Sequence, residues 1–319
     1  MDGTVGQVRT LVVMAHYDPH ALVAPHVLRQ LDAWGEVADR VLLVSAAGLR
    51  DPDVIASVTS RAELVQRENE GYDFYSYKLG LDSVDDLGSY DLVVICNDSY
   101  VGPLVPWATV LDAMEHRDVD AWGLTETMRR RRHVQSYFYA FRPWVVASSG
   151  FRRFWDDMSV VSDRTKVIKV YELGLSAAIL ESGFEIGSYY TETPKDRRLA
   201  RARQVWWAVH RAPLRPKGKR LSSLPRFAGE PWNPMSALAD RALDGARLPV
   251  VKIDTLRYDP YRLGAGALLD ACEREHPQAF AGVRDFIDRT GSAYPGREGE
   301  LVGPARLGFP ARQLVGYAR

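Results

Sequence analysis

Apolar runs of four residues alternate with longer amphipathic stretches through the first half of the chain. Residues 11–14 form a buried-strand run, residues 22–34 repeat apolar positions with helical period, and residues 41–44 are a second strand run. Strand, helix and strand in that order make a βαβ unit, which requires parallel pairing and a right-handed crossover. The pattern continues with a helix over 54–66 that ends before a polar loop, then a third strand at 92–95 running into Cys96-Asn97-Asp98-Ser99. Beyond it come a helix at 107–116, a strand from 120 to 124, an aromatic strand over 134–141, a helix over 168–182 and a strand over 184–190. The predicted fold class is α/β with a mainly parallel central sheet.

Past about residue 195 the character changes. Residues 195–226 hold eleven Lys or Arg and a single acid, Asp196, with Trp206 and Trp207 embedded. From Ala228 the chain is punctuated by Pro and Gly, with helices predicted at 234–243, 263–274 and 277–289 and an irregular tail from Gly291. The organisation expected is a catalytic core over 1–195 and a basic, helical C-terminal extension over 196–319 packing on it.

Composition narrows the classes. A chain of 319 residues can bury a large core. The 41 basic and 41 acidic residues cancel, so no global field selects nucleic acid as a partner. The opening residues lack a basic-then-apolar signal pattern, and no apolar run of about eighteen residues follows, so the expected location is cytoplasmic. Cys96 lies inside an apolar strand, Cys272 is distant, and the pair matches no metal-ligand spacing. Basic residues around the tryptophans suit an anionic membrane surface. Peripheral contact with the inner face of the cell membrane, through Arg201, Arg203, Trp206 and Trp207, is therefore a further expectation.

Candidate chemistry gathers where strands end, because ligands of open α/β sheets bind outside the carboxyl ends of the strands. Three polar clusters fall there: Ala15-His16-Tyr17-Asp18, the stretch from Asn69 through Gly71 and Asp73 to Lys78, and Asn97-Asp98-Ser99-Tyr100. A carboxylate such as Asp98 at the end of a buried strand can hold a divalent cation together with substrate phosphates. Asp98 and Ser99 could equally start a turn or cap a helix. A fourth cluster runs from Trp122-Gly123-Leu124-Thr125 to His133, Gln135 and Ser136. In a fifth, Tyr171-Glu172, the acid near a helix start would also complement the helix dipole. The Arg129–Arg132 run reads as a solvated loop or a phosphate-facing one.

The order of these clusters resembles the rhamnan synthesis protein F family. The resemblance rests on Gly71-Tyr72-Asp73-Phe74, Ser76-Tyr77-Lys78, Asn97-Asp98-Ser99 with Gly102-Pro103, Trp122-Gly123-Leu124-Thr125, His133 with Gln135-Ser136-Tyr137-Phe138, Tyr171-Glu172 and Leu248-Pro249, across roughly residues 10 to 290. It implies a bacterial glycosyltransferase of cell-wall or O-antigen-type glycan assembly with a nucleotide-activated rhamnose donor, thymidine diphosphate L-rhamnose. The layout is also similar, more distantly, to inverting glycosyltransferases of the GT-A (nucleotide-diphospho-sugar transferase) fold. Their nucleotide-binding stretch would fall on Asn69, Gly71 and Lys78, their Asp-x-Asp metal motif on Asn97-Asp98-Ser99, and their Glu-Asp base motif on Tyr171-Glu172. One acid remains in each of the last two.

This resemblance implies Glu172 as general base and Asp98 as ligand of Mg2+ or Mn2+. His16, Tyr17, Asp18, Asn69, Gly71, Asp73, Lys78, Asn97 and Asp98 would line the donor site, and Trp122, His133 and Gln135 the acceptor site. The acceptor is a glycan, expected to be lipid-linked. Two rivals stand beside it. One is a non-catalytic nucleotide- or carbohydrate-binding component of an assembly complex. The other is a metal-dependent hydrolase using His16, Asp18 and Asp98, which lacks the paired carboxylates such enzymes need.

Overall fold

A computed structural model describes residues 8–211, 225–226, 228–293 and 315–317. The chain divides into two units. The first comprises residues 1–98, 106–124 and 133–189, and the second residues 99–105, 125–132 and 190–319. The second unit thus takes in two short excursions from the N-terminal half as well as the C-terminal region.

The first unit is built on β1 (Thr10–His16), β2 (Arg40–Ser45), β3 (Glu63–Gln66) and β4 (Leu92–Asn97), all mutually parallel. In chain order there follow β5 (Tyr100–Val101), β6 (Ala121–Gly123), β7 (Glu126–Thr127), β8 (His133–Val134), β9 (Phe138–Phe141) and β10 (Ile186–Ser188). Among the described residues the sheet has seven strands in the order β10-β6-β9-β4-β1-β2-β3, with β9 antiparallel to both its neighbours. The mainly parallel α/β class expected from the sequence is the observed one.

Continuous apolar runs in β1, β2 and β4 follow from their central place, since a parallel strand is covered on both faces. On one face Leu11, Val13, Leu42, Val44, Val93 and Ile95 join Phe74, Tyr77 and Leu81 of α3 (Tyr72–Asp82) in one core. Trp34 of α1 (Pro25–Gly35) stacks on Trp107 of α4 (Trp107–Glu115) with ring centroids 4.5 Å apart, and Phe138 packs on both. Helix α3 lies so flat on the sheet that a Cβ at Gly80 would sit 2.3 Å from Val13 Cγ1 and 3.0 Å from Val44 Cγ2.

Several expected boundaries move. The helix predicted over 54–66 is α2 (Pro52–Thr59), capped by the Asp51 side chain, and then β3, a half-exposed edge strand. The polar cluster from Asn69 to Lys78, expected past a strand end, runs from Tyr72 into the first turns of α3. The single strand expected over 134–141 is β8, a break and β9. The helix over 168–182 is three segments: α7 (Arg164–Val167), a π-helical turn at Ile168–Glu172 and α8 (Leu173–Glu181). Glu172 therefore sits at a π turn within a longer helical stretch and not at a free helix start.

In the second unit β5 pairs antiparallel with β11 (Val251–Lys252). The long α9 (Pro194–Arg211) carries the basic residues read as membrane-facing. Arg203 is only 1% exposed and has all five N–H donors engaged: with Asp240 through two 2.7 Å bonds, and with the carbonyls of Val315, Ala237 and Gly316. Trp207 is buried and stacks on Tyr261. Two of the four residues expected at a membrane are thus internal, because a basic run does not reveal which arginine has a buried acid waiting. Residues 212–224 of the basic segment, and residues 294–314 of the tail expected to be irregular, lie outside the described residues. Among the described residues no helix is long and apolar enough to cross a membrane.

Candidate functional site

Parallel pairing in register brings the carboxyl ends of β1, β2 and β4 to one edge: His16 lies opposite Ser45, and Ala15 opposite Asn97. The Asp98 N–H donates to Ala15 O at 3.2 Å, so the residue after β4 is still held on β1. Its Oδ2 accepts the Tyr17 N–H at 2.8 Å, and its carbonyl lies 3.3 Å from His26 Nε2. A carbonyl only accepts, so the His26 proton is on Nε2. His16 Nδ1 is 2.9 Å from Ser45 Oγ, which also accepts the Ala47 N–H. Asp18, buried, folds the following turn by accepting the His20 N–H at 2.8 Å.

Burial at this edge disfavours the charged forms of three groups. Burial pushes the Asp98 carboxyl up to about 8, the Tyr17 N–H opposes the rise, and the carboxylates of Asp73 and Asp18 add to it. Burial also pulls His16 down to about 4 and His26 down to about 3, so both imidazoles are neutral near pH 7 and supply no positive charge.

The α3 start supplies the next groups. Gly71 is its N-cap with φ of 67°, and a Cβ there would meet Tyr75 Cβ at 2.6 Å, so both backbone and space require glycine. Arg67 braces this turn, donating to Ser76 Oγ at 2.8 Å, to the carbonyls of Glu68 and Tyr72 at 2.7 Å, and to that of Glu70. Asp73 Oδ2 accepts from Asn97 Nδ2 at 2.7 Å, tying α3 to the end of β4. Asn69 is exposed. Lys78 pairs with Asp82 at 3.0 Å along α3.

A second cluster surrounds Glu172. In the π turn the Leu173 N–H bonds Ile168 O, five residues back. Ser136 Oγ donates to Glu172 Oε2 at 2.6 Å, and His133 Nε2 lies 3.3 Å from Oε1. Two bonds join this cluster to the strand-end one. Tyr77 Oη donates to Ser136 O, and the Asn97 N–H donates to Tyr137 O, both at 3.1 Å. Gln135 is buried beside them in sequence. Trp122, expected on the acceptor side, is 2% exposed and packs on Phe138.

The structure therefore brings His16, Tyr17, Asp18, Asp73, Asn97 and Asp98 to one edge and His133 to Glu172. Sequence pattern does not single out His26, Ser45 or Arg67, and it places Ser136 in a motif without giving it a role. For His26 a signal exists: a polar side chain at an apolar-periodic position of the first helix. Two cavities, of about 730 Å3 around Arg203 and Asp240 and of about 690 Å3 between α6 (Ser149–Asp156) and α8, contain none of the sequence-predicted site residues. Among the described residues no group of three or more His, Cys, Asp or Glu is arranged to hold a metal ion. Any cation at Asp98 would need oxygens from a ligand.

Comparison with known proteins adds family evidence. The model of the family described as rhamnan synthesis protein F matches residues 41–210. An uncharacterized protein, y4gN, of Sinorhizobium fredii is 28% identical over 138 residues, covering 42% of this chain and 36% of that protein. The virulence protein VirA of Vibrio anguillarum is 33% identical over 116 residues, covering 35% of this chain and 36% of that protein. The chain thus aligns with little more than a third of either relative's length. Among solved structures, a putative nucleotide-diphospho-sugar transferase from Desulfovibrio desulfuricans aligns with 69% of this chain and 97% of its own, at 12% identity and a TM-score of 0.35. Glucosyl-3-phosphoglycerate synthase from Mycobacterium tuberculosis, in complex with Mn2+, uridine diphosphate and phosphoglyceric acid, aligns with 72% of this chain and 81% of its own, at 14% identity and a TM-score of 0.33. Both structural likenesses are distant.

Proposed function

The chain belongs to the rhamnan synthesis protein F family, and from that premise we propose that it is an inverting glycosyltransferase of bacterial glycan assembly with a GT-A-like core. The observation that carries the reading is Asp98: a carboxyl at the end of a central parallel strand, desolvated and beside two further carboxylates. Such a group is stabilised by whatever brings positive charge to it. A divalent cation, Mg2+ or Mn2+, fits this oxygen donor set, held by Asp98 together with the diphosphate of a bound donor. When bound, it would offset the charge that builds on the departing diphosphate.

The remaining roles are assigned to side chains. His16, Tyr17, Asp18, Asp73 and Asn97 line the donor side; Asn69, Gly71 and Lys78 belong to the same segment, with Gly71 shaping the turn. His133 and Gln135 lie on the acceptor side. Glu172 accepts the proton of the acceptor hydroxyl as that oxygen bonds to the anomeric carbon. The bond from that carbon to the phosphate oxygen breaks in the same step, and nucleoside diphosphate leaves. The donor we assign is thymidine diphosphate L-rhamnose and the acceptor a lipid-linked cell-wall or O-antigen-type glycan, reached at the inner membrane face. The neutral imidazoles and lone acids also suit a non-catalytic nucleotide-binding component, and catalysis distinguishes the two.

Diphosphate release from a panel of nucleotide sugars is the test. Thymidine diphosphate L-rhamnose should be turned over, and Glu172→Gln should lose about 100-fold or more while donor affinity by calorimetry stays within about twofold. Turnover of a uridine or guanosine donor instead would displace the donor assignment. Donor binding without turnover would favour the non-catalytic reading.

A further inference from the structure

We infer that Ser136 is a positioning residue for Glu172, fixing the plane of the carboxylate that is presented to the acceptor. The inference rests on Glu172 as general base and adds a residue that the family motif leaves without a role. The Glu172 carboxylate is gripped on both sides: the Ser136 hydroxyl donates to Oε2 at 2.6 Å, and His133 Nε2 faces Oε1 at 3.3 Å. The two contacts differ in kind. The short bond from the hydroxyl is of charge-assisted length and fixes the plane of the carboxylate. The one from the buried imidazole is longer and completes the grip from the other side.

The grip has its own support. Ser136 O accepts the Tyr77 hydroxyl at 3.1 Å, and the next residue's carbonyl accepts the Asn97 N–H at 3.1 Å. Ser136 is thus anchored to α3 on one side and to the end of β4 on the other. On the far side, the π turn at Ile168–Glu172 aims the carboxylate. Turns of this kind inside α-helical stretches concentrate at functional sites. A base held between a hydrogen-bonded turn and a helix irregularity is preorganised, and misplacement by about 1 Å costs on the order of 100-fold in rate.

The experiment measures kcat and KM for the nucleotide sugar that the donor panel identifies. Ser136→Ala should lower kcat about 10- to 100-fold with donor KM unchanged, and Ser136→Thr, which keeps the hydroxyl, should restore most of it. In a Glu172→Gln background Ser136→Ala should cost less than about twofold more, since a residue acting through Glu172 has nothing left to act on. If Ser136→Ala folds poorly, Ser136→Cys, with its weaker donor, should give an intermediate kcat. A full loss in Ser136→Thr, or losses that multiply in the double variant, would overturn the positioning role and leave the base assignment standing. Normal turnover by Glu172→Gln, or no turnover of any donor by the unmodified protein, would remove both together.

Discussion

The two units bury charge in opposite ways. At the strand-end edge of the first, Asp98, His16 and His26 are shifted by burial toward their neutral forms, and neighbouring carboxylates raise the cost of ionising Asp98. In the second, Arg203 meets Asp240 and Arg247 meets Asp196 in close pairs, and both carboxyls are held below the usual carboxylate range despite their burial. Compensated charge is architecture: it closes on itself and asks for no ligand. Uncompensated charge is a standing cost that a fold keeps only where something else arrives to offset it. Glu192 departs from that pattern within the second unit, raised by burial even though the Trp232 indole donates to it at 2.6 Å.

Breaking a compensated pair should therefore have the largest effect. Arg203→Ala leaves Asp240 buried without its main partner and should destabilise the second unit by about 3–5 kcal/mol, read by urea unfolding. Replacing both partners, as in Arg203→Met with Asp240→Leu, should recover only the part due to the stranded carboxylate, since the carbonyls of Val315, Ala237 and Gly316 also lose their donor. A loss under about 1 kcal/mol for Arg203→Ala would mean that the pair is solvent-screened and the contrast between the units unsound.

Asp98, raised by burial, should respond with the opposite sign. Asp98→Asn keeps the shape and the acceptor for the Tyr17 N–H, and should stabilise the ligand-free first unit by about 1 kcal/mol near pH 7, as substitutions at strained functional sites do. The same change should abolish any gain in donor affinity from Mg2+ or Mn2+, measured by calorimetry.

The pH dependence follows from the same shifts. The folded Asp98 value, about 8, is above its unfolded value of 3.8, so its contribution to stability is full below 3.8 and lost as pH rises toward 8. His16 and His26 have folded values near 4 and 3, below 6.5, so their contribution is present above 6.5 and lost as pH falls toward those values. Two histidines outweigh one carboxyl between about 4 and 6.5, and the carboxyl acts alone above, so the first unit should be most stable near pH 6.5. Asp196 and Asp240, being lowered, weaken the second unit only as pH falls below about 4. Hydrogen exchange resolved by unit should show a peaked profile in the first and a flatter one in the second. A first unit with no alkaline decline would count against an ionisable Asp98, and Asp98→Asn should remove that decline.

How much of this was legible in the sequence follows the same division. Strand ends announced themselves, because continuous apolar runs in β1, β2 and β4 stop abruptly at His16, Ser45 and Asn97. Helix α3 did not, since its aromatic residues lie on several sides and Gly80, where the helix touches Val13 and Val44, interrupts the apolar period. Strand β3 is an edge strand whose Glu63 is exposed and paired with Arg40, which erases alternation. Glu172 was legible as a residue but its setting was not, because a π turn leaves no mark in apolar spacing. Ser45 and Ser136 gain their roles from strand register and from a partner 36 residues away, and neither is local information. Arg203 is the converse case, a residue whose basic neighbours disguise it.

Close packing under the site gives a smaller effect. Gly80→Ala removes a helix-weakening glycine but drives a methyl into Val13 and Val44, so the first unit should lose about 1–3 kcal/mol. No loss would mean that α3 can lift from the sheet, and the tie between Asp73 and Asn97 would then be too loose to hold a donor-side geometry.

Lys78 offers the smallest effect and the sharpest boundary for the donor side. Its segment was read as part of the nucleotide site, yet its ammonium lies 3.0 Å from Asp82 along α3, with the lysine side chain 18% exposed and the aspartate 49%. An i,i+4 pair of this exposure contributes about 0.3–0.5 kcal/mol, so Lys78→Met should change stability by no more than that. If the ion pair is all that Lys78 does, donor affinity should also stay within about twofold, and charge for the diphosphate would come from another group, a cation at Asp98 being the one proposed. A tenfold loss of donor affinity in Lys78→Met, with Asp82→Asn leaving affinity intact, would show instead that the ammonium leaves its helix partner for the donor. The strand-end edge would then carry its own compensating charge, one that arrives by a side-chain swing, and the difference between the two units would be one of timing rather than of kind.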